Sequence, residues 1–236
     1  MKIIGIDIGT TSISSVVLDD ETKIQVAAKT LPNDTAISGH SWERTQDADW
    51  ILEKCRKLVM EYRREWPDVR CIGITGQMHG MLYVDANGCA ISPLTTWEDE
   101  RGNQPYQEGS TYAQELSARS GYEMATGYGL TTHFYNLQNN LVPKQAASMT
   151  TIMDYVAMRL TGRRHPMTHP TNAASFGLFD IRSASFDKAA CRKAGIDPAI
   201  LPEVMPGEEV IGRTEDGIEV VIPIGDNQAG ILGLCE

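Results

Sequence analysis

The sequence predicts an α/β domain whose mixed sheet begins as an antiparallel three-strand meander. Two short β-type runs, Ile3 to Ile8 and Ile13 to Leu18, flank the turn Gly9-Thr10-Thr11-Ser12 and read as a hairpin. A third run, Lys23 to Thr30, extends it. From Asp47 the pattern changes: Ile51, Cys55, Leu58 and Tyr62 recur at helical spacing, with Asp47 and Asp49 suited to the helix start. Pro67 ends that helix and Arg70 to Thr75 returns to strand. Meander, helix, strand excludes a dinucleotide-binding unit, which enters a helix directly after its glycine-rich turn.

Further along, Met81 to Asp85 and Ala90 to Leu94 read as a second hairpin around Asn87-Gly88. Helices are predicted over Tyr112 to Arg119, Thr132 to Leu141 and Thr151 to Leu160, with Gly162 capping the last. Pro198 to Pro206 is a proline-rich connector. Ile218 to Ile224 is a strand, and Gly225-Asp226-Asn227-Gln228 leads into the start of a helix. That ending resembles the opening of another unit, so the expected division is a first domain over residues 1–222 and the beginning of a second over 223–236.

With 42% hydrophobic and 22% charged residues, the composition is that of a soluble globular protein. A net charge of −10 argues against broad binding to nucleic acid or an anionic membrane. The five cysteines (Cys55, Cys71, Cys89, Cys191 and Cys235) are odd in number, irregularly spaced and form no C-x-x-C pair. This is the usage of a reducing cytoplasm. Asp7 interrupts the first apolar run after four residues, which rules out a signal peptide, and no stretch is apolar for long enough to span a membrane.

Five stretches carry candidate chemistry. In the first, Asp7 beside Gly9-Thr10-Thr11-Ser12 offers a strand-end carboxylate, hydroxyls and a turn where backbone can approach an anion. Such an Asp can hold Mg²⁺ through waters. The plain alternative is a hairpin whose Asp satisfies backbone donors; a P-loop is excluded because no Gly-Lys-Ser/Thr follows. In the second, Gly76 and Gly80 bracket Gln77, Met78 and His79, an amide and an imidazole suited to a polyhydroxylated ligand, although a lone His is more often structural.

In the third, Trp97-Glu98-Asp99-Glu100-Arg101 combines an indole, which can stack on C–H surface, with carboxylates that accept from hydroxyls; a solvated charged loop is the alternative. The fourth, His165 with His169, mimics a metal pair, but Pro166 and Pro170 break the helix it needs. In the fifth, Asp226 stands where a strand passes into a helix. The positive helix end favours its ionised form, able to take a proton from a hydroxyl, though N-capping is the commoner role.

The order of GIDIGTTS, GQMHG, WEDER, DYVAMRLTG and GDNQAGILG, over essentially the whole chain, resembles the FGGY family of carbohydrate kinases. The resemblance implies the two-domain, actin-like ATPase (ribonuclease H-like) fold, with helices on both faces of the sheet. Within that family, residues 125–129, 151–155, 172–175 and the Pro206-Gly207 and Ile211–Thr214 stretches resemble the sedoheptulokinase branch; GQMHG is shared with xylulokinases, which leaves a pentulose open. The implied cofactors are ATP and Mg²⁺. The implied roles put Asp7 toward Mg²⁺ and Gly9, Thr10, Thr11 and Ser12 at the ATP phosphates. Gln77, Met78, His79, Trp97, Asp99, Arg101 and Asn227 line or adjoin the sugar site, and Asp226 is the catalytic base. Many relatives carry a basic residue shortly after the GTTS turn, where this chain has Ser14. The family's second domain does not follow Glu236, so a kinase fragment inactive by itself is expected. A non-catalytic sugar-sensing module is the competing class, and it has no need for Asp7 and Asp226 together.

Overall fold

The computed structural model describes every residue except Ser38, Glu108, Glu208, Cys235 and Glu236. Cys235 and the end of the 223–236 segment therefore lie outside the described residues. The meander is present: β1 (Lys2–Ile8), β2 (Ser12–Asp19) and β3 (Gln25–Pro32) pair antiparallel in succession. On its other edge β1 pairs in parallel with the Val69–Gly76 strand, which pairs in parallel with Glu219–Val221; Val210–Arg213 closes the sheet antiparallel. The result is a six-stranded mixed sheet.

Along β1, side chains alternate between faces, as a strand requires. Ile4, Ile6 and Ile8 are buried in the main core, whereas Asp7 is exposed on the opposite face. Two helices cover the buried face, α1 (Ala48–Glu65) and α4 (Ile152–Leu160); the intervening α2 (Tyr112–Ser120) and α3 (Gly129–Gln138) belong elsewhere. In α1, Ile51, Leu52, Cys55, Leu58, Val59 and Tyr62 form the buried stripe, and the Asp47 carboxylate accepts from Trp50 N at 2.9 Å as N-cap. At the other end, Gly162 (φ +67°) turns the chain out of α4, and Arg163 N donates to Met158 O.

A second core lies beyond the sheet and joins α2, α3 and α6 (Lys188–Lys193) around Phe134, Phe176, Leu116 and Cys191, with α5 (Pro170–Ser175) at its edge. The last helix, α7 (Asp226–Leu234), starts over the sheet's other face, along a groove of about 580 Å³ bordered by Gly5, Asp7, Val16, Gly73 and Leu232. Helices thus occur on both faces. Among the described residues, no helix is long and apolar enough to cross a membrane.

Two elements differ from the sequence reading. The third helix runs from Gly129 to Gln138 rather than from Thr132 to Leu141: Thr132 N already donates to Tyr128 O at 2.9 Å, and the backbone at Gly129 passes too close to Phe176 for a larger residue. The Asn87-Gly88 turn forms, but Leu82–Val84 pairs mainly with Ser148–Thr150 rather than with its expected partner. Pro93 lacks the N–H that a continued ladder needs, and the two limbs are joined by separate antiparallel bridges, Val84 to Ala90 and Met81 to Thr95, rather than by an unbroken ladder.

Candidate active site

Three chain segments converge at one end of the parallel strands. Asp7 sits beside Thr75 in register, and Thr75 Oγ1 donates to Ile224 O at 2.9 Å. Two residues later, Asp226 opens α7 with its carboxylate exposed, accepting from Asn227 N at 2.7 Å. Asp7 and Asp226 feel each other: partial burial, then the Asp226 charge, raises the Asp7 carboxyl above its ordinary value. A carboxylate whose charge is disfavoured by a neighbouring acid suits a bound cation. Among the described residues no cluster of three or more acids, histidines or cysteines forms a protein cage, so an ion here depends on waters and phosphates for its remaining ligands.

The Gly9 to Ser12 turn is braced from inside. Asn33 Nδ2 donates to Gly9 O at 2.8 Å, Gln46 Nε2 to Thr10 O at 2.7 Å, and Asn33 N to Thr11 O at 2.9 Å. Three carbonyls that would repel an anion are therefore engaged within the protein, and exposed Thr11 stands at the tip. This arrangement fits a phosphate-facing turn. Trp97 Nε1 donates to Thr10 Oγ1 at 3.0 Å, and Thr10 Oγ1 in turn donates to Gln77 Oε1 at 3.3 Å.

His79 is held in the left-handed region at φ +70°, a strained conformation for a residue with a Cβ. Its Nδ1 faces the carbonyl oxygen of Ser175 at 3.0 Å, so Nδ1 carries the proton and Nε2 is left as an acceptor. Burial lowers the imidazole's affinity for a second proton, while Ser175 and the Asp226 charge act in the opposite sense. The ring stacks on Tyr128, centroids 4.8 Å apart and 13° between planes. Met78 joins this group to the Asp226 turn: its Sδ accepts from Asn227 Nδ2 at 3.7 Å, and a Cβ on Gly225 would fall 2.4 Å from the same sulfur. Half of the Trp97 surface is open to solvent.

Three residues expected to line or adjoin a sugar site are buried and bonded within the protein. Gln77 is buried and acts as a strut, donating from Nε2 to Gln46 Oε1 at 2.9 Å. Asp99 is fully buried, and both its oxygens are used: Arg101 Nε and NH2 donate at 2.7 and 3.1 Å, and Arg44 N donates at 3.0 Å. Arg101 also donates to Asn136 Oδ1 at 2.7 Å. Its guanidinium borders a separate recess of about 300 Å³ with Glu43 and Tyr83. A carboxylate taken from water needs a paired cation, and Arg101, two residues on, supplies a bidentate one. Asp99 has no oxygen left for a ligand. His169 caps α5 by accepting from Thr171 N at 3.3 Å.

Tyr128, Ser175, Asn33 and Gln46 escaped the sequence reading as site-shaping residues. Each lies far along the chain from the group it touches; Tyr128 and Ser175 fall in stretches that carry the family resemblance, but nothing local assigns them a partner.

The model for the FGGY family of carbohydrate kinases, N-terminal domain, matches residues 2–233. Sedoheptulokinase from Mus musculus is 31% identical, with 97% of this chain and 54% of that protein covered. A xylulose kinase from Staphylococcus xylosus is 24% identical, with 99% and 49% covered. Among solved structures, ligand-bound xylulose kinase from Lactobacillus acidophilus superposes with a TM-score of 0.84 at 20% identity, covering 99% of this chain and 50% of that one. Plasmodium falciparum glycerol kinase with ADP gives 0.84 at 22% identity, with 99% and 50% covered. The chain spans about half the length of the curated relatives it matches.

Proposed function

The chain belongs to the FGGY family of carbohydrate kinases, and we propose that it forms the sugar-binding part of an enzyme that phosphorylates a ketose at a primary hydroxyl with ATP. The observation that carries this reading is the meeting of Asp7 and Asp226 beside a turn whose carbonyls are tied inward. Residues 1–222 form the sugar-binding domain, and 223–236 begin the ATPase domain that completes the site. Sedoheptulose is the favoured sugar, since the mouse and human sedoheptulokinases are 31% and 30% identical. The xylulose kinases at 24–27% identity make a pentulose the second reading.

In this reading, His79 Nε2 accepts a hydrogen bond from a sugar hydroxyl, Asn227 holds the same end of the sugar, and the open Trp97 face packs on its C–H surface. Asp226, at the helix start, takes the proton of the primary hydroxyl. The freed oxygen attacks the γ-phosphorus; the new P–O bond forms as the bond to ADP breaks, and ADP leaves with those electrons. The Gly9 to Ser12 turn orients the phosphates. Mg²⁺, directed by Asp7, neutralises phosphate charge when bound. Positioning and charge neutralisation account for most of such a reaction's acceleration.

Calorimetry with sedoheptulose, xylulose, glycerol and gluconate tests the assignment on the 236-residue chain. The expected result is ketose binding, strongest for sedoheptulose, with negligible phosphorylation when ATP and Mg²⁺ are added. Absence of ketose binding contradicts the sugar assignment, and appreciable phosphorylation by this chain alone contradicts the division of labour between two domains.

A further inference from the structure

His79 and Asp226 follow different strands, yet both are tied to one short helix. At the end of α5, Ser175 O accepts from His79 Nδ1 at 3.0 Å and Ser175 Oγ accepts from His79 N at 3.1 Å. Ser175 Oγ also donates back to Asn172 O at 2.6 Å. At its start, Thr171 Oγ1 accepts from Gly225 N at 3.1 Å, and Asn172 Nδ2 donates to Pro223 O at 3.1 Å. These two bonds grip the chain one and three residues before Asp226. The same Nδ2 donates to Asp154 Oδ1 at 3.3 Å, which moors α5 to α4. Asn172, Ser175 and Asp154 are buried, and Ala173 is packed in the second core. The helix has no freedom to shift without disturbing both cores.

We propose that α5 is a positioning brace, in which Thr171 and Asn172 fix the Asp226 carboxylate relative to the His79 imidazole that Ser175 holds. The inference rests on the reading that both residues serve the sugar hydroxyls. Merely filling space would not require three polar residues of one helix to bond the backbone on either side of the site. Their distinctive consequence is a fixed electrostatic coupling between the two groups, because the Asp226 charge favours protonated His79. That coupling is readable without sugar or nucleotide.

NMR titration of His79 in the 236-residue chain tests it as a double-mutant cycle. Asp226→Asn should lower the His79 midpoint in the otherwise unchanged chain. In a Thr171→Val or Asn172→Ala background the same substitution should shift it by about half as much or less, and Thr171→Ser, which restores the hydroxyl, should restore the full shift. Thr171→Val preserves shape, so it decides the matter if Asn172→Ala fails to fold. An equal shift in every background, or none in the unchanged chain, overturns the proposal. Failure of the sugar reading shows separately, as absence of ketose binding with the cycle intact.

Discussion

Asp226 and Asp99 are both carboxylates near the ends of core elements, and the protein treats them in opposite ways. Asp99 lies at the start of a closed polar chain: Arg101 pairs with it, Asn136 accepts from Arg101 and donates to Tyr83 Oη at 3.3 Å, and Tyr83 meets His133 Nδ1 at 2.8 Å. Each member is buried and bonded. Asp226 is exposed and spends one oxygen on the N–H of the next residue, while Asp7 nearby has its carboxyl raised by partial burial and the Asp226 charge, with no ion pair among the described residues. Saturated polar groups hold shape, and unsaturated ones at strand ends are free to act on a ligand. Residue type alone does not separate the two classes.

The strongest way to break this contrast is to remove the cation from the closed chain. Arg101→Met leaves the Asp99 carboxylate buried without a partner, and urea unfolding should show a loss of about 3–5 kcal/mol. Ketose affinity of the molecules that remain folded should change little. A stable variant that has lost ketose binding would instead place Arg101 in the site.

A smaller effect sharpens the contrast through pH. Burial pushes the Asp154 carboxyl up to about 7 from an ordinary 3.8, so the folded chain keeps a proton that the unfolded chain loses. That contribution favours the fold at low pH and is lost as pH rises from near 4 to near 7. Burial also holds His133 down to about 4 from an ordinary 6.5, and this stability is lost as pH falls across that interval. The two oppose each other between them. Asp154→Asn should therefore make stability fall more steeply on acidification from pH 6.5 to 4.5, measured by urea midpoints at each pH. An unchanged or shallower fall would show that Asp154 keeps no proton in the fold.

Much of the fold is legible in the sequence because its signals are local. The Gly9 to Ser12 turn, the apolar alternation of β1 and the α1 stripe from Ile51 to Tyr62 are each visible within about a dozen residues. The convergence of Asp7, His79 and Asp226 is less so: it follows from the parallel pairing of β1 with Val69–Gly76 and of that strand with Glu219–Val221, which no local pattern states. The internal bonding of Asp99, Arg101 and Gln77, proposed as ligand contacts, is hidden from the sequence for the same reason. Their partners Arg44, Asn136 and Gln46 come from 31 to 55 residues away, and burial is decided by those distant contacts. Local chemistry identified groups capable of binding a sugar; it did not reveal which of them were already occupied.

The most direct test of the account is the proposed activity itself: ketose phosphorylation by a full-length protein containing this domain, with Asp226→Asn against the unchanged protein. The account predicts a fall in kcat of about 10³-fold or more, with ketose binding and unfolding midpoint nearly unchanged, because the free carboxylate supports chemistry rather than structure. Retained turnover in Asp226→Asn would contradict it and remove Asp226 as the base.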